Sequence, residues 1–380
     1  MNPTTPLVKD EYSYSVPDEV RVQHMDLDLE VLFNDRILRG AALLTLDAPF
    51  SGDLVLDTRD LIIDSVEFSQ DKESFRSATF KLGGSDPIKG APLSIFLPQR
   101  ASAVRIRYQT SPDASGLQWL TPMQTAGKEY PFLFTQSEAT HARSWIPLQD
   151  TPQVRSTYAA RIHIPHNLKA VMSASNNPSA FAESDPRFSM TKPIPSYLIA
   201  LAVGDLEFRE LSKRTGVFAE RPVINRAVHE FENLDRMLLA GEDLFGPYRW
   251  GRYDVLVLPP SFPVGGMENP CLTFTTPTII AGDKSLSSLI IHELAHSWSS
   301  NLVNNATWSD FWINEGPTVY MERRIVEKLY GHRRAEMEAV LAMQDLEREL
   351  LTSVPEDQIL HRGTNSRDPN IGFSLIRSQA

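Results

Sequence analysis

The apolar residues of this chain change their spacing once along its length, and that change limits what it can fold into. In the first ~200 residues the apolar positions recur at every second residue. Met25, Leu27, Leu29 and Val31 alternate with His24, Asp26, Asp28 and Glu30, which is the period of a half-buried strand, and Asn34-Asp35 then marks a turn. Val104, Ile106 and Tyr108 alternate in the same way with Arg105, Arg107 and Gln109, and Ile162 and Ile164 repeat the pattern before Pro165. Short strands separated by Pro, Asp, Ser and Gly clusters predict a β-saddle or sandwich of antiparallel sheets. The apolar run from Tyr197 to Val203 reads as a buried strand and ends at Gly204-Asp205, which sets the expected boundary between a domain over 1–205 and one over 206–380.

Beyond that point the period becomes helical. Val228, Phe231, Leu234 and Leu238 are spaced for a helix stopped by Gly246-Pro247. Tyr253 to Leu258 is a short strand closed by Pro259-Pro260, the Gly265-Gly266 loop comes next, and a further strand is expected near Leu272 to Thr275. Helices are predicted from about Asp310 to Tyr330 and from about Arg333 to Leu351, with Pro317 removing one hydrogen bond from the first of them. The fold class is therefore multidomain α+β, a β domain followed by a mainly helical one.

Inside the helical part stands His292-Glu293-Leu294-Ala295-His296. Residues four apart on a helix share a face, so His292 and His296 offer two imidazole nitrogens to one metal ion. Glu293 lies a fraction of a turn aside, too far round to ligate but placed to take the proton of a water that a metal has acidified. Glu315, with eighteen residues between it and His296, is the expected third ligand from a second helix. Leu289, Ile290, Ile291, Leu294 and Ala295 surround the histidines, so this helix is expected to be buried, with Asp283 or Ser285 as its cap. Buried imidazoles and carboxylates need partners, and one Zn2+ per chain supplies them. Glu322, two turns beyond Glu315, could accept the free ring N–H of a zinc-bound histidine, and an exposed helix glutamate beside Arg323 and Arg324 is the equal alternative.

Composition removes several other functions. The net charge of −11 and the lack of any Lys/Arg cluster argue against nucleic acid as a partner. No apolar run approaches the length needed to span a membrane, and the first residues show no basic and apolar leader pattern. A single cysteine, Cys271, excludes an intrachain disulfide and fits a reducing, cytoplasmic compartment. Oligomeric state leaves no sign in the sequence.

Further segments carry a family resemblance. Leu258-Pro259-Pro260-Ser261-Phe262-Pro263-Val264-Gly265-Gly266-Met267-Glu268-Asn269-Pro270, then the histidine motif, then Asn314-Glu315-Gly316 resemble the gluzincin aminopeptidases, most of all the leukotriene A-4 hydrolase branch. Thr135-Gln136-Ser137-Glu138 through Asp150-Thr151-Pro152 and the strand from Tyr197 to Gly204 resemble that branch as well. The resemblance implies a β-saddle domain followed by a thermolysin-like catalytic domain, a zinc ion, and peptide substrates with a free N-terminus. It implies that Glu268 binds the substrate's α-amino group, that Gln136 and Glu138 complete that amine site, and that Gly265 and Gly266 pair with the substrate main chain. A carboxylate beside a glycine loop suits this, since it bonds strongly to an ammonium while glycine admits another backbone closely.

Departures from the branch shift the expected substrate toward peptides. The leukotriene A-4 hydrolases carry Gln at the position of Glu138 and Tyr at that of Val264, and near the end this chain has Asn370 for Asp and Phe373 for Tyr. The family's oxyanion tyrosine falls at about Ser378, so the chain is expected to lack that donor, the rest of the catalytic helices and the C-terminal helical domain. One missing oxyanion donor typically costs ~10²–10³ in turnover. The expected function is a zinc aminopeptidase. The alternatives are a weakly active or inactive zinc protein that binds peptide N-termini and, further off, an epoxide hydrolase.

Overall fold

The computed structural model describes residues 7–177, 185–361 and 368–369; Asn370, Phe373 and Ser378 lie outside them. The chain divides into two compact units. One takes the chain up to Thr121 and again from Tyr130 to Asp205, and the other takes Pro122–Glu129 together with the chain from Leu206 onward. The contiguous division at residue 205 expected from the sequence thus omits an eight-residue excursion, Pro122–Glu129.

The first unit is built on two sheets. The larger runs in the order Arg187–Pro195, Arg155–His163, Val22–Leu32, Ile37–Thr58, Ala91–Gln109, Ile62–Ser69, Arg76–Ser77, with Thr79–Leu82 also paired to Ala91–Gln109. Met25, Leu27, Leu29 and Val31 point into the core, while the charged residues between them face outward, as period-two alternation requires. The pairing departs from the expected antiparallel pattern at one place: Val22–Leu32 and Arg155–His163 run parallel, with Leu27 opposite Ala160 and Asp28 opposite Arg161. Parallel neighbours need a long crossover, and the strands that intervene in sequence supply it. The smaller sheet runs Lys169–Met172, Leu201–Gly204, Phe132–Thr135, Leu117–Leu120. The expected strand from Tyr197 to Val203 begins instead with a 3-10 turn at Ser196–Leu198, and every residue of the run is buried.

A buried charge cluster ties this unit together. Arg143 is fully buried; its Nε donates to Asp150 Oδ2 at 2.8 Å, and its terminal nitrogens donate to the carbonyls of Tyr12, Lys89 and Asp150 at 2.8, 2.7 and 2.9 Å. Asp57, also fully buried, accepts from Ser13, Tyr14 and the Asp150 N–H. Burial pushes the Asp57 carboxyl above its ordinary value, with Arg143 and these hydrogen bonds pulling the other way.

In the second unit a mixed sheet runs Leu206–Glu210, Thr215–Glu220, Tyr253–Val257, Leu272–Thr275, Gly266–Met267, with the two-residue strand Gly266–Met267 at its edge. Five α-helices lie among the described residues of this unit, in chain order α1 (Ile224–Glu230), α2 (Leu234–Phe245), α3 (Ser287–Ala295), α4 (Trp312–Tyr330) and α5 (His332–Thr352). The single helix expected across Val228 to Leu238 is broken into α1 and α2 by a turn at Phe231–Asn233. Phe231, Leu234 and Leu238 are still buried, so the apolar face survives the break. Neither Asp283 nor Ser285 caps α3: Leu286 holds that position without a side-chain bond, and Asp283 Oδ1 accepts from Ser285 N at 2.9 Å, closing its own turn. Pro317 is carried inside α4, which continues through it. No helix among the described residues is long and apolar enough to cross a membrane.

Replacing Arg143 with Leu leaves Asp57 and Asp150 as buried carboxylates without their cation. The expected loss is ~3–5 kcal/mol of stability in the first unit, read as a lower midpoint in denaturant-induced unfolding.

Candidate active site

The candidate metal ligands come from two helices and the turn behind one of them. His292 and Glu293 lie on α3, and His296 closes its C-terminal end. Glu315 lies in the first turns of α4, which packs against α3. Ile290, Ile291, Leu294 and Ala295 are wholly buried, so the apolar residues that frame the motif are what sinks α3 into the unit. A helix this short gains little from propensity; packing holds it.

The three candidate ligands converge. His292 Nε2 and His296 Nε2 are 3.1 Å apart, Glu315 Oε2 is 3.5 Å from the former, and Glu315 Oε1 is 3.8 Å from the latter. Ligands about 2.0–2.1 Å from a tetrahedral zinc lie roughly 3.3–3.4 Å from one another, so this donor set suits that ion. Both ring tautomers agree with it. Thr318 Oγ1 donates its one hydrogen to the Asn314 carbonyl at 2.7 Å, so toward His296 Nδ1, 3.1 Å away, it accepts. That leaves the proton on Nδ1 and the lone pair on Nε2, facing the other ligands. His292 Nδ1 lies 3.0 Å from Glu322 Oε2, an arrangement that likewise places its proton on Nδ1. Burial disfavours a charged His292, yet the carboxylates of Glu315 and Glu322 outweigh it and hold the imidazole well above its ordinary pKa.

Two more carboxylates stand beside this cluster. Glu268, Glu293 and His296 each offer a ligand atom within 4.8 Å of the others, and all three residues are buried. This second grouping is not another metal site of the same kind, because the His296 lone pair already faces His292. Glu268 comes directly after the edge strand Gly266–Met267; its Oε1 accepts from Ser300 Oγ at 3.1 Å, and Asn301 Nδ2 donates to its backbone carbonyl at 2.9 Å. Its Oε2 is buried and has no hydrogen-bond partner among the described residues.

Glycine at 266 is a packing requirement. A Cβ there would sit 2.3 Å from Glu293 Oε1 and 2.4 Å from its Cδ, so the Glu293 carboxylate lies directly against that backbone. At Gly265 a Cβ would meet only Leu289, whose Cδ1 is nearest at 3.1 Å. Gln136 and Glu138, expected to join the amine site, lie in the first unit, where the backbone N–H of Gln136 donates to the Gly116 carbonyl at 3.0 Å; both side chains are half-buried.

Thr318, Ser300 and Asn301 were not expected from the sequence. Thr318 sits three residues after Glu315 and so on the same helical face, a signal that spacing alone carries. Ser300 and Asn301 lie in a turn whose path no local pattern announces.

A family model described as the peptidase family M1 domain matches residues 229–376, and one described as the peptidase M1 N-terminal domain matches residues 21–198. The chain is 46% identical over 355 residues to leukotriene A-4 hydrolase of Xenopus laevis, covering 90% of this chain and 58% of that protein. It is 43% identical over 327 residues to leucine aminopeptidase 2 of Yarrowia lipolytica, covering 84% and 49% respectively. Among solved structures, yeast LTA4 hydrolase in complex with bestatin superposes with a TM-score of 0.91 at 34% identity, covering 100% of this chain and 60% of that one. The chain spans less than two thirds of the length of each of these relatives.

Thr318→Val keeps the shape of the side chain and removes the acceptor for the His296 Nδ1 proton. Zinc affinity is expected to fall ~10–100-fold, measured by competition with a chelator. Unchanged affinity would show that Thr318 has no part in setting the ligand's tautomer.

Proposed function

The chain belongs to peptidase family M1, and on that premise we propose that it is a zinc-dependent aminopeptidase, removing the N-terminal residue from peptides that present a free α-amino group. His292, His296 and Glu315 would hold one zinc ion, whose Lewis acidity lowers the pKa of water and polarises the scissile carbonyl. Glu293 accepts the proton of the attacking water and returns it to the leaving amine. Glu268 holds the substrate ammonium, which fixes the distance from the N-terminus to the reacting bond and makes the cleavage exopeptidic. The edge strand at Gly266 offers main-chain groups to an extended peptide, the mode in which a substrate adds a strand to a sheet.

The observation that carries the reading is the buried Glu268 carboxylate beside Glu293 and His296, with one oxygen bonded to a neutral hydroxyl. Two carboxylates so close together out of water favour a cationic guest, and an ammonium supplies both the charge and the hydrogen-bond donors. A cytoplasmic location belongs to the same reading. It draws support from the cysteine count: Cys271 is the single cysteine of the chain, and it is buried.

Aminoacyl-chromophore hydrolysis tests the mechanism. Glu293→Gln is expected to lose at least ~10²-fold in kcat while binding stoichiometric zinc, because Glu293 is not among the ligands. Hydrolysis that survives either this change or removal of metal by a chelator would refute the assignment.

Gly266→Ala tests the geometry from another side. The added methyl displaces Glu293, and kcat should fall ~10²-fold with metal content intact, as a displacement of about 1 Å predicts. Full activity in that variant would mean that the Glu293 position is not critical.

A further inference from the structure

Ser300 has a backbone that suits glycine and a side chain that touches the proposed amine anchor. Its φ is 75°, in the left-handed region where a Cβ crowds the neighbouring carbonyl, and the residue is wholly buried. Backbone bonds close the turn around it: Ser300 N–H donates to the Val303 carbonyl at 2.8 Å and Asn301 N–H to the His296 carbonyl at 3.0 Å. Glycine would hold the same φ without strain. What serine adds is a hydroxyl that donates to Glu268 Oε1 at 3.1 Å. Asn301 works on the same residue, fixing the Glu268 backbone carbonyl.

We propose that Ser300 is a positioning residue for amino-terminal recognition: its hydroxyl fixes the Glu268 carboxylate and sharpens selection for a charged α-amine over an acylated N-terminus. The inference rests on the aminopeptidase reading above and adds to it a residue that acts on specificity. The donor is neutral, so it orients the carboxylate without cancelling its charge. A lysine or arginine in its place would compete with the substrate ammonium. By engaging Oε1, which lies 4.0 Å from His296 Nδ1, the hydroxyl also decides which oxygen remains for the guest, and that oxygen, Oε2, is the buried one with no partner among the described residues.

The experiment compares the parent chain with Ser300→Gly and Ser300→Ala. The first variant removes both hydroxyl and strain; the second removes the hydroxyl alone. Binding of alanine hydroxamate and of N-acetyl-alanine hydroxamate to the zinc-loaded proteins is measured by calorimetry, alongside kcat, KM and thermal midpoint. Both variants are expected to bind the free-amine hydroxamate about 10-fold more weakly, as loss of one hydrogen bond to a charged group predicts, with the N-acetyl compound unaffected. KM for aminoacyl substrates should rise by a similar factor while kcat stays within about twofold. The midpoint of Ser300→Gly should equal or exceed that of the parent. A merely structural serine would instead lower the midpoint and weaken both ligands together, and that result overturns the proposal, as does unchanged amine binding in Ser300→Gly. If the parent binds the amine ligand selectively but hydrolyses no aminoacyl substrate, the aminopeptidase reading fails and the role of Ser300 stands. A parent that does not distinguish the two hydroxamates overturns both.

Discussion

Three carboxylates and an imidazole are buried together in the second unit: Glu268, Glu293, Glu315 and His296 are each at most 2% exposed. Removing an ionised carboxylate from water costs several kcal/mol unless a cation or several donors replace the solvent. The apolar residues of α3 supply neither. The neighbouring polar groups therefore have to, and they do so in a consistent way. Thr318 and Glu322 act on the outer ring nitrogens of the two histidines, while Ser300 gives one neutral bond to Glu268. None of these three contacts brings a cation to the carboxylates, and in the proposed reading a divalent metal and a substrate ammonium would do so.

Close backbone approach is the second constraint on the site. Gly266 sits in a two-residue edge strand that pairs with Leu272–Thr275, and the space of its missing side chain is filled by the Glu293 carboxylate. One position therefore does two jobs. It lies in the last strand of the sheet, and it sets how far the proposed base can retreat from the candidate metal ligands.

The convergence of His292, His296 and Glu315 was legible because metal chemistry imposes fixed spacings: histidines four positions apart, a glutamate on the next helix, and Glu322 two turns further on. Strand alternation was legible for the same reason, since Met25 to Val31 must show one face to the core. What the sequence did not carry depends on distant chain. The parallel pairing of Val22–Leu32 with Arg155–His163 comes from topology, which local period cannot encode. The break between α1 and α2 leaves the apolar spacing intact and so is invisible to it. Asp283 read as a cap because its residue type favours both caps and turns, and the structure uses it for the turn. Ser300 looked like one more polar residue after the helix; only its φ and its partner set it apart.

The excursion Pro122–Glu129 bears on how the protein is made. Buried Glu220 receives the backbone N–H groups of Ala126 and Gly127 at 2.9 and 3.2 Å, and Glu220 lies 94 positions beyond Ala126 in the chain. A ribosome therefore releases this piece of the second unit well before the strand that will hold it. Until Thr215–Glu220 emerges, the bonds from Ala126 and Gly127 to Glu220 cannot form. Expressed from Leu206 alone, the second unit would have Glu220 buried without those two donors. The gene segment that encodes the second unit is thus not one stretch but two, and any exchange of domains by recombination at residue 205 would separate them.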